Sequence, residues 1–300
     1  MTALKKKSVL FVLIAASLWG SMGLFVRTMN SWGLSSLEIV QLRIVITALI
    51  FLAIMLIRYR DRMRIRLKDI WCFLGSGLFS IVFFSFCYFT TILLTDLSAA
   101  AVLLYTAPSF VIVLSALFFR EKLTGRKIFA VILAFAGCVL VTGIIGSNVS
   151  IPVQAVLTGL GSGFGYALYT IFSRFAMNRG YDSLTITFYT FLIAALVILP
   201  LADPVRVFRT AAAAPDRLFF SILAAFVTTV LPYLFYTAGL KGLEGGTASV
   251  IASVEPVVAT IFGVVVFREG LTPSGLIGIG LVLLSILLCN ISPKKNSSQA

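Results

Sequence analysis

The sequence predicts an all-α integral membrane protein whose ten transmembrane helices form two five-helix repeats of inverted topology. The chain of 300 residues is 60% hydrophobic and 12% charged, whereas an average soluble domain is about 25% charged. Its mean hydropathy is +1.07, which is too apolar for a water-soluble core. Apolar runs recur along the whole chain, and the pattern of the first half returns in the second.

The apolar runs are each close to the length that spans a bilayer, about 20 residues. The first run follows three lysines near the N-terminus, so a secretory signal peptide is an alternative interpretation. We interpret it as a retained helix, because it is long for the apolar part of a signal peptide and has a counterpart later in the chain. The ten runs occupy residues 9–27, 36–57, 70–94, 98–119, 128–146, 152–173, 183–201, 217–240, 246–267 and 273–291.

Basic residues are distributed unevenly between the two sets of predicted loops. With a cytoplasmic N-terminus, eighteen Lys and Arg residues lie in cytoplasmic segments, five lie outside and Arg43 lies within a helix. Cytoplasmic loops are enriched in Lys and Arg, so both termini are predicted to be cytoplasmic. The densest basic run, RYRDRMRIRLKD at 58–69, is typical of a loop that contacts anionic lipid headgroups. We therefore expect no nucleic-acid partner.

Side chains for metal binding or catalysis are scarce. The sequence has no histidine, which removes the usual proton shuttle and the usual catalytic base. Its four cysteines fall within or at the edges of predicted helices without a Cys-x-x-Cys pair; they are Cys72, Cys87, Cys138 and Cys289. We expect no metal, no cofactor, no catalytic residue and no enzymatic activity.

The two halves of the chain match at an offset of 148 residues. The segment LYTAPSFVIVLSALFFREKLT at 104–124 aligns with ASVEPVVATIFGVVVFREGLT at 252–272. At the same offset Tyr88 aligns with Tyr236 and Asp96 with Glu244, and an offset of 147 aligns Trp19 with Tyr166. These matches predict two repeats, residues 1–148 and 149–300. Because each repeat holds five helices, an odd number, the second is expected to enter the membrane from the opposite side.

Two prolines, Pro108 and Pro256, occupy matched positions near the middle of helices four and nine. Each proline removes a backbone donor and is expected to release the carbonyl four residues earlier, at Leu104 and Ala252. Freed backbone at membrane depth is tolerated where it faces protein or a water-filled cavity. Matched interruptions of this kind occur around the central sites of transporters built from inverted repeats. A role in packing alone is the alternative.

Glu255 precedes the second of these prolines, whereas its counterpart in the first repeat is Ala107. An acidic residue within a membrane segment is a candidate functional residue. Burial favours its neutral form, so the carboxyl group is a candidate for binding a substrate amine or for exchanging a proton. A hydrogen bond to a neighbouring helix, or an ion pair with Arg43, is an equally compatible interpretation.

Arg43 lies in the second predicted helix, which begins with the sequence Ser35-x-x-Glu38. That spacing is typical of a capping box and explains Glu38 without a functional role. Arg43 follows further into the helix, where it either extends to the membrane surface or faces a cavity and binds an anionic group.

Five aromatic residues are candidates for lining a cavity that binds a small organic solute, because they combine apolar rings with polar groups inside helices. They are Trp19, Tyr88, Tyr105, Tyr166 and Tyr236. Glycines in GLGSGFG at 159–165 and in the tenth helix have a spacing that favours close helix packing over ligand contact.

The blocks TDLSAAAVLLYTAPSFVIVLSALFFREKLTGRKIFAVILAFAGCVLV and LEGGTASVIASVEPVVATIFGVVVFREGLTPSGLIGIGLVLL resemble the EamA-type repeats of the drug/metabolite transporter superfamily. The resemblance covers nearly the whole chain and is strongest in the C-terminal block. It implies a carrier of ten helices in an inverted repeat, commonly an exporter of amino acids or other metabolites, with a central cavity lined by both halves. The residues that match recurring positions of the family are Arg43, Pro108, Glu121, Glu255, Pro256 and Glu269.

These observations together predict a secondary transporter for small organic metabolites in a bacterial cytoplasmic membrane. The sequence has no nucleotide-binding loop, so the expected energy source is either an ion gradient, with proton coupling as one form, or the concentration difference of the solute itself. The expected partners are a small-molecule substrate and the lipid bilayer, and the protein is either a monomer or a homo-oligomer. An integral-membrane enzyme acting on a lipid-soluble substrate and a membrane sensor without transport are the alternative functions.

Overall fold

The structure, a computed structural model, describes residues 3–95, 97–144, 151–268, 270 and 272–290. Within these residues all regular secondary structure is helical. In chain order the helical segments are α1 (Ala3–Asn30), α2 (Ser36–Arg58), α3 (Leu67–Leu94), α4 (Ala99–Phe119), α5 (Gly125–Val141), α6 (Val153–Asn178), α7 (Ser183–Leu201), α8 (Pro215–Gly239), α9 (Gly245–Phe267) and α10 (Pro273–Asn290). A short helix, Pro204–Ala211, lies between α7 and α8.

Eight of these segments, α1 to α4 and α6 to α9, are long and apolar enough to cross a membrane. The prediction of an all-helical membrane protein is confirmed, and the span criteria are met by eight helices rather than by the ten expected. α10 is a shorter apolar helix. α5 contains 17 residues, and at a rise of about 1.5 Å per residue it is shorter than a hydrocarbon core of about 30 Å.

Polar side chains fix where several helices begin. The predicted capping box of α2 is confirmed, because Ser35 accepts a hydrogen bond from the Glu38 backbone and Glu38 accepts one from the Ser35 backbone. Asp182 caps α7 in the same place by accepting from the Thr185 backbone. A glycine with a positive φ turns the chain shortly before each cap, with Gly33 at 84° and Gly180 at 90°. Only glycine adopts such angles readily.

The helix irregularities also occur at matched positions in the two halves. α3 contains a π-helical segment at Gly75–Val82, and α8 contains one at Phe226–Val230, which overlap at the offset of 148 residues. α4 is interrupted after Leu104 and resumes as Ala107–Phe119. α9 is divided into Gly245–Ala252 and Glu255–Phe267. The backbone thus repeats features that neither composition nor hydropathy specifies.

The first helix of each half packs against the other half. α1 contacts the C-terminal part of α8 and both parts of α9, whereas α6 contacts the C-terminal part of α3 and both parts of α4. α2 packs on α7, and α5 packs on α10. A Cβ atom added at Gly278 would lie 2.6 Å from the Gly137 carbonyl oxygen, so these glycines permit the close approach of α5 and α10. Because α1 and α6 each pack against the opposite half, residues of both halves form the centre of the molecule.

Ion pairs and hydrogen bonds define the two ends of the bundle. At one end, here called the basic end, residues 58–69, 120–127, 174–182 and 241–245 come together through contacts such as Arg62 with Asp182 and Lys127 with Glu244. At the opposite end Arg206 binds Glu38 at 2.5 Å and donates to the Gly33 carbonyl at 3.2 Å.

Candidate functional site

The broken helices α4 and α9 meet beside α6 at the centre of the bundle. Together they enclose a small cavity, here called the proline cavity, of about 10 Å³. Its lining residues come from both halves: Leu104, Tyr105, Ala107, Pro108, Tyr166, Ser249, Ala252, Ser253 and Glu255. Pro108 and Pro256 are each the second residue of the helix that resumes after the break. In that position the missing backbone donor breaks no hydrogen bond of the new helix.

Tyr166 also lines a second small cavity, here called the aromatic cavity, of about 10 Å³. The ring of Trp19 lies 6.0 Å from that of Tyr166, 5.2 Å from Tyr233 and 5.4 Å from Tyr236. Edge-to-face and tilted arrangements of this kind are favourable for aromatic pairs. The cavity is lined by Trp19, Ser80, Ile81, Phe84, Tyr166, Tyr169, Thr170, Tyr233 and Tyr236.

Two reciprocal hydrogen bonds hold α6 against α8 in the aromatic cavity. The hydroxyl groups of Tyr169 and Thr237 lie 2.6 Å apart, and those of Thr170 and Tyr236 lie 2.8 Å apart. The sequence prediction did not include Tyr169, Thr170 or Thr237. A signal was present, because both helices contain Tyr-x-x-Tyr-Thr, at 166–170 and 233–237.

Glu255 is the one acidic side chain that lines either central cavity. Its carboxyl group makes no hydrogen bond or ion pair with any residue that the structure describes. Its backbone is tightly packed, since a Cβ atom added at Gly20 would lie 2.7 Å from the Glu255 carbonyl oxygen. An intramembrane carboxyl group with no such partner is available to a proton or to a cationic ligand.

Arg43 is buried against the π-helical segment of α8 and is not paired with Glu255. Its Nη2 donates to Thr229 Oγ1 at 3.0 Å and to the Thr228 carbonyl oxygen at 3.5 Å. Pro232 follows four residues after Thr228 and has no backbone donor to offer this carbonyl. No feature of the sequence alone connects Pro232 with Arg43. The residue matched to Arg43 is Thr190, whose hydroxyl lies 2.6 Å from that of Ser76 in the π-helical segment of α3.

The structure brings together most of the residues predicted to line a site. Glu255, Tyr105 and Pro108 share the proline cavity, Trp19 and Tyr236 share the aromatic cavity, and Tyr166 lines both. Tyr88 lies beside them, stacked on Phe84 with ring centres 5.6 Å apart. Arg43 and Pro256 line neither cavity.

A network around Glu121 fastens the two halves at the basic end. The Glu121 carboxylate binds Arg174 of α6 and accepts a hydrogen bond of 2.9 Å from the backbone of Gly245. Lys127 lies 3.7 Å from the same carboxylate and 2.5 Å from Glu244. Glu121 and Lys127 belong to the first half, whereas Arg174, Glu244 and Gly245 belong to the second. Glu269, the residue matched to Glu121, and Asp96 lie outside the described residues.

Two cation–π contacts occupy matched positions at opposite ends. Arg174 lies over the ring of Phe119, 4.9 Å from its centre, and Arg27 lies over the ring of Phe267 at 4.2 Å. In each pair the arginine comes from one half and the phenylalanine from the other. We call Arg174 and Phe119 the inner pair, at the basic end, and Arg27 and Phe267 the outer pair.

The central cavities are too small for an organic solute, since about 10 Å³ each accommodates a single water molecule. Movement of the surrounding helices is therefore required for a solute to enter. Among the described residues no group of three His, Cys, Asp or Glu side chains is arranged to hold a metal ion.

The described residues form an all-helical bundle with eight helices long and apolar enough to cross a membrane and with a partly polar centre built by both halves, which defines an integral multi-pass membrane protein. The EamA-like transporter family model matches the chain twice, over residues 6–143 and 153–291. The chain therefore belongs to the EamA-like transporter family and is a membrane transporter.

Curated relatives agree with this assignment, and a solved structure shares the fold. The chain is 27% identical to the uncharacterized transporter YwfM of Bacillus subtilis over 291 residues, covering 96% of this chain and 95% of that one. It is 24% identical to the uncharacterized inner membrane transporter YicL of Salmonella typhimurium, covering 98% and 99%. A solved crystal structure matches with a TM-score of 0.76 at 18% identity, covering 95% of this chain and 96% of that chain. At that identity the match establishes the fold alone.

Proposed function

We propose that this protein is a secondary carrier that moves a small amine-bearing metabolite, of the amino-acid class, out of the cell by alternating access. Its ten helical segments form two inverted repeats, residues 1–148 and 149–300, in a bacterial cytoplasmic membrane with both termini in the cytoplasm. The observation that carries the proposal is the carboxyl group of Glu255. It lies among aromatic rings at the junction of the two halves, where it has no hydrogen-bond or ion-pair partner among the described residues.

The inverted arrangement is supported by the directions of α1 and α6, the first helices of the two repeats. α1 begins at the basic end, where Leu4 and Ser8 lie against Gly242. α6 ends at the basic end, where Arg174 binds Glu121. Helices at equivalent places in the two repeats thus run in opposite directions. The basic end is the cytoplasmic side under the positive-inside rule.

The chemistry of the central residues supports an amine as the recognised group. Cations bind favourably to carboxylates and to the faces of Trp and Tyr rings. Glu255 supplies the carboxylate, Tyr166 and Tyr105 line the same cavity, and Trp19 lies beyond Tyr166. When no amine is bound, a proton on Glu255 neutralises the carboxylate, and this exchange links outward movement of the amine to inward movement of a proton.

Alternating access is supported by the inner and outer pairs. Each pair joins the two halves at one end of the bundle, and the two small cavities lie between the pairs. Separating the inner pair opens a route from the cytoplasm, and separating the outer pair opens a route to the outside. Rocking of one repeat against the other separates the pairs in turn.

Purified full-length protein in liposomes tests this proposal by counterflow of radiolabelled amino acids, amines and sugars. We expect saturable exchange of at least one amine-bearing solute, stimulated by a pH gradient. Glu255→Gln is expected to reduce this exchange at least about tenfold, because a buried ion pair with the substrate is lost, and to abolish the pH stimulation. Glu244→Gln, an exposed carboxylate at the basic end, is the matched control and should leave exchange unchanged.

Three outcomes would contradict the proposal. Equal exchange by Glu255→Gln and the unmodified protein excludes Glu255 as the amine site. Absence of saturable exchange for every solute class contradicts the carrier, and product formation without solute movement favours an enzyme.

Topology is tested by Arg64→Cys and Arg209→Cys in whole cells, where a membrane-impermeant thiol reagent should label the second variant and spare the first.

A further inference from the structure

A separate pocket of about 340 Å³ opens at the basic end, away from the two central cavities. The loop between α2 and α3 forms one wall, and the turn between α6 and α7 forms the other. Four arginines line it: Arg62, Arg64, Arg66 and Arg179. The two walls belong to different halves of the chain, so a ligand here contacts both.

The backbone of the α2–α3 loop is fixed against the second half. The Thr185 hydroxyl donates to the Arg62 carbonyl at 3.1 Å, and the Tyr189 hydroxyl donates to the Met63 carbonyl at 2.5 Å. The Arg66 backbone donates to the Tyr181 hydroxyl at 3.0 Å. Three hydrogen bonds within five residues fix the backbone of this loop, so the fold itself positions the arginines that line the pocket.

Two carboxylates bind three of the four guanidinium groups. Asp69, which is 2% exposed, accepts from Arg66 at 2.8 Å and from Arg179 at 2.9 Å. Asp182 accepts from Arg62 at 2.8 Å. The fourth guanidinium, that of Arg64, makes no hydrogen bond or ion pair with any described residue. The pocket therefore keeps an excess of positive charge, with Arg64 free to bind an anion.

Apolar side chains adjoin the pocket on the side of α3. Leu67 is 83% exposed and Ile70 is 41% exposed, although both lie within or beside the charged loop. Trp71 is 37% exposed, and Arg179 lies over its ring, 4.7 Å from the centre. Exposed tryptophan and aliphatic side chains next to clustered arginines are typical of the boundary between lipid headgroups and acyl chains.

We propose that this pocket binds the phosphate group of an anionic glycerophospholipid, whose acyl chains lie along Leu67, Ile70 and Trp71. Guanidinium groups match the geometry of phosphate oxygens and bind them through two hydrogen bonds. The adjoining apolar side chains favour a lipid over a soluble phosphate as the source of that group. The bound lipid joins the α2–α3 loop of the first half to the α6–α7 turn of the second, and so stabilises the basic end.

The test is a lipid-binding measurement on full-length protein in detergent, by native mass spectrometry and by thermal unfolding. Dioleoylphosphatidylglycerol is expected to bind stoichiometrically and to raise the unfolding temperature, whereas dioleoylphosphatidylcholine at the same concentration is not. Arg64→Gln should weaken phosphatidylglycerol binding at least about tenfold, because a direct charge-assisted hydrogen bond to the phosphate is lost. Because Arg64 has no partner among the described residues, this variant is expected to fold normally.

Arg60→Gln is the matched control, since Arg60 lies in the same loop, is exposed and does not line the pocket. Equal weakening by Arg60→Gln and Arg64→Gln means that the loop attracts lipid only through diffuse charge and overturns the proposal. Inorganic phosphate is the second probe. If millimolar phosphate displaces the lipid and raises the unfolding temperature by the same amount, the site takes a soluble anion and the lipid assignment is wrong. These binding results do not depend on solute transport, so they can fail while the carrier proposal stands.

Discussion

The guanidinium carbon of Arg27 lies 4.2 Å from the ring centre of Phe267, and Arg174 makes the same kind of contact with Phe119 at 4.9 Å. The two pairs are related by the offsets that relate the two halves of the sequence. Each joins the first helix of one half to the end of the broken helix of the other. Cation–π pairs contribute about 0.5–2 kcal/mol each. In the proposed alternating-access cycle, a contact of this strength holds one end closed and is still weak enough to be released.

Glu121→Gln is expected to open the basic end. The substitution removes the carboxylate that binds Arg174 and Lys127, so two largely buried cations lose a partner, at a cost of about 3 kcal/mol or more. The measurement is the rate at which a membrane-impermeant reagent labels Ser253→Cys in the proline cavity, in inside-out vesicles of a variant that lacks the native cysteines. We expect labelling at least about tenfold faster than without Glu121→Gln.

The control for this experiment is Glu244→Gln, which removes a carboxylate that is 52% exposed and whose one ion-pair partner among the described residues is Lys127. An exposed ion pair contributes about 0–1 kcal/mol, so little change in labelling is expected. Equal acceleration by both substitutions would show that charge at this end, rather than the bond between Glu121 and Arg174, controls access.

Gly20→Ala is expected to destabilise the protein through the break in α9. The added methyl group would lie 2.7 Å from the Glu255 carbonyl oxygen and 2.8 Å from Val258 Cβ, and overpacking of this kind costs about 1–3 kcal/mol. Gly23→Ala, one turn later, is the control because a Cβ there has no neighbour within 4 Å. Alanine in an open helical position stabilises by up to about 1 kcal/mol relative to glycine. Thermal unfolding in detergent should therefore shift in opposite directions for the two variants.

Helix positions were largely predictable because most of the helices are long and apolar, and several begin at a polar capping residue. The predicted runs 36–57 and 183–201 correspond to Ser36–Arg58 and Ser183–Leu201. The π-helical segments in α3 and α8 left no trace in hydropathy, because wider helical turns change the hydrogen bonding of the backbone without changing composition.

The centre of the bundle was predictable in part. Trp19, Tyr166 and Glu255 stood out as polar or matched residues at membrane depth. Tyr169 and Thr237 did not, because their hydrogen bond depends on how α6 and α8 face each other, which neither segment encodes alone. Arg43 was placed in the correct helix, but its partners on α8, more than 180 residues away in the chain, required the tertiary structure.

The two Tyr–Thr hydrogen bonds between α6 and α8 are expected to differ in how much stability the protein loses when each is removed. The Thr237 hydroxyl also donates to the Tyr233 carbonyl at 2.7 Å, so Tyr169→Phe leaves it with a partner. Thr170 has Tyr236 as its hydrogen-bond partner, so Tyr236→Phe leaves a buried hydroxyl unsatisfied. We expect losses of about 0.5–1.5 kcal/mol for Tyr169→Phe and about 1–3 kcal/mol for Tyr236→Phe, measured by thermal unfolding. The reverse order would indicate that Thr170 finds another acceptor.

The hydrogen bonds between Thr229 and the buried guanidinium of Arg43 are expected to stabilise the protein. Thr229 Oγ1 accepts from Nε of Arg43 at 3.3 Å and from Nη2 at 3.0 Å. Thr229→Val keeps the shape of the side chain and removes this acceptor, so part of a buried guanidinium loses its partner. Hydrogen bonds to charged groups contribute about 1.5–3 kcal/mol, and we expect a loss of stability in that range.

Thr47→Val is expected to act in the opposite direction. Thr47 lies one turn after Arg43 on α2, is fully buried, and its hydroxyl has no hydrogen-bond partner in the described structure. Replacing an unsatisfied buried hydroxyl by a methyl group removes a desolvation penalty of about 1–3 kcal/mol. The unfolding temperature should therefore rise in Thr47→Val and fall in Thr229→Val. A loss of stability in Thr47→Val would mean that its hydroxyl, rather than that of Thr229, supports the buried cation.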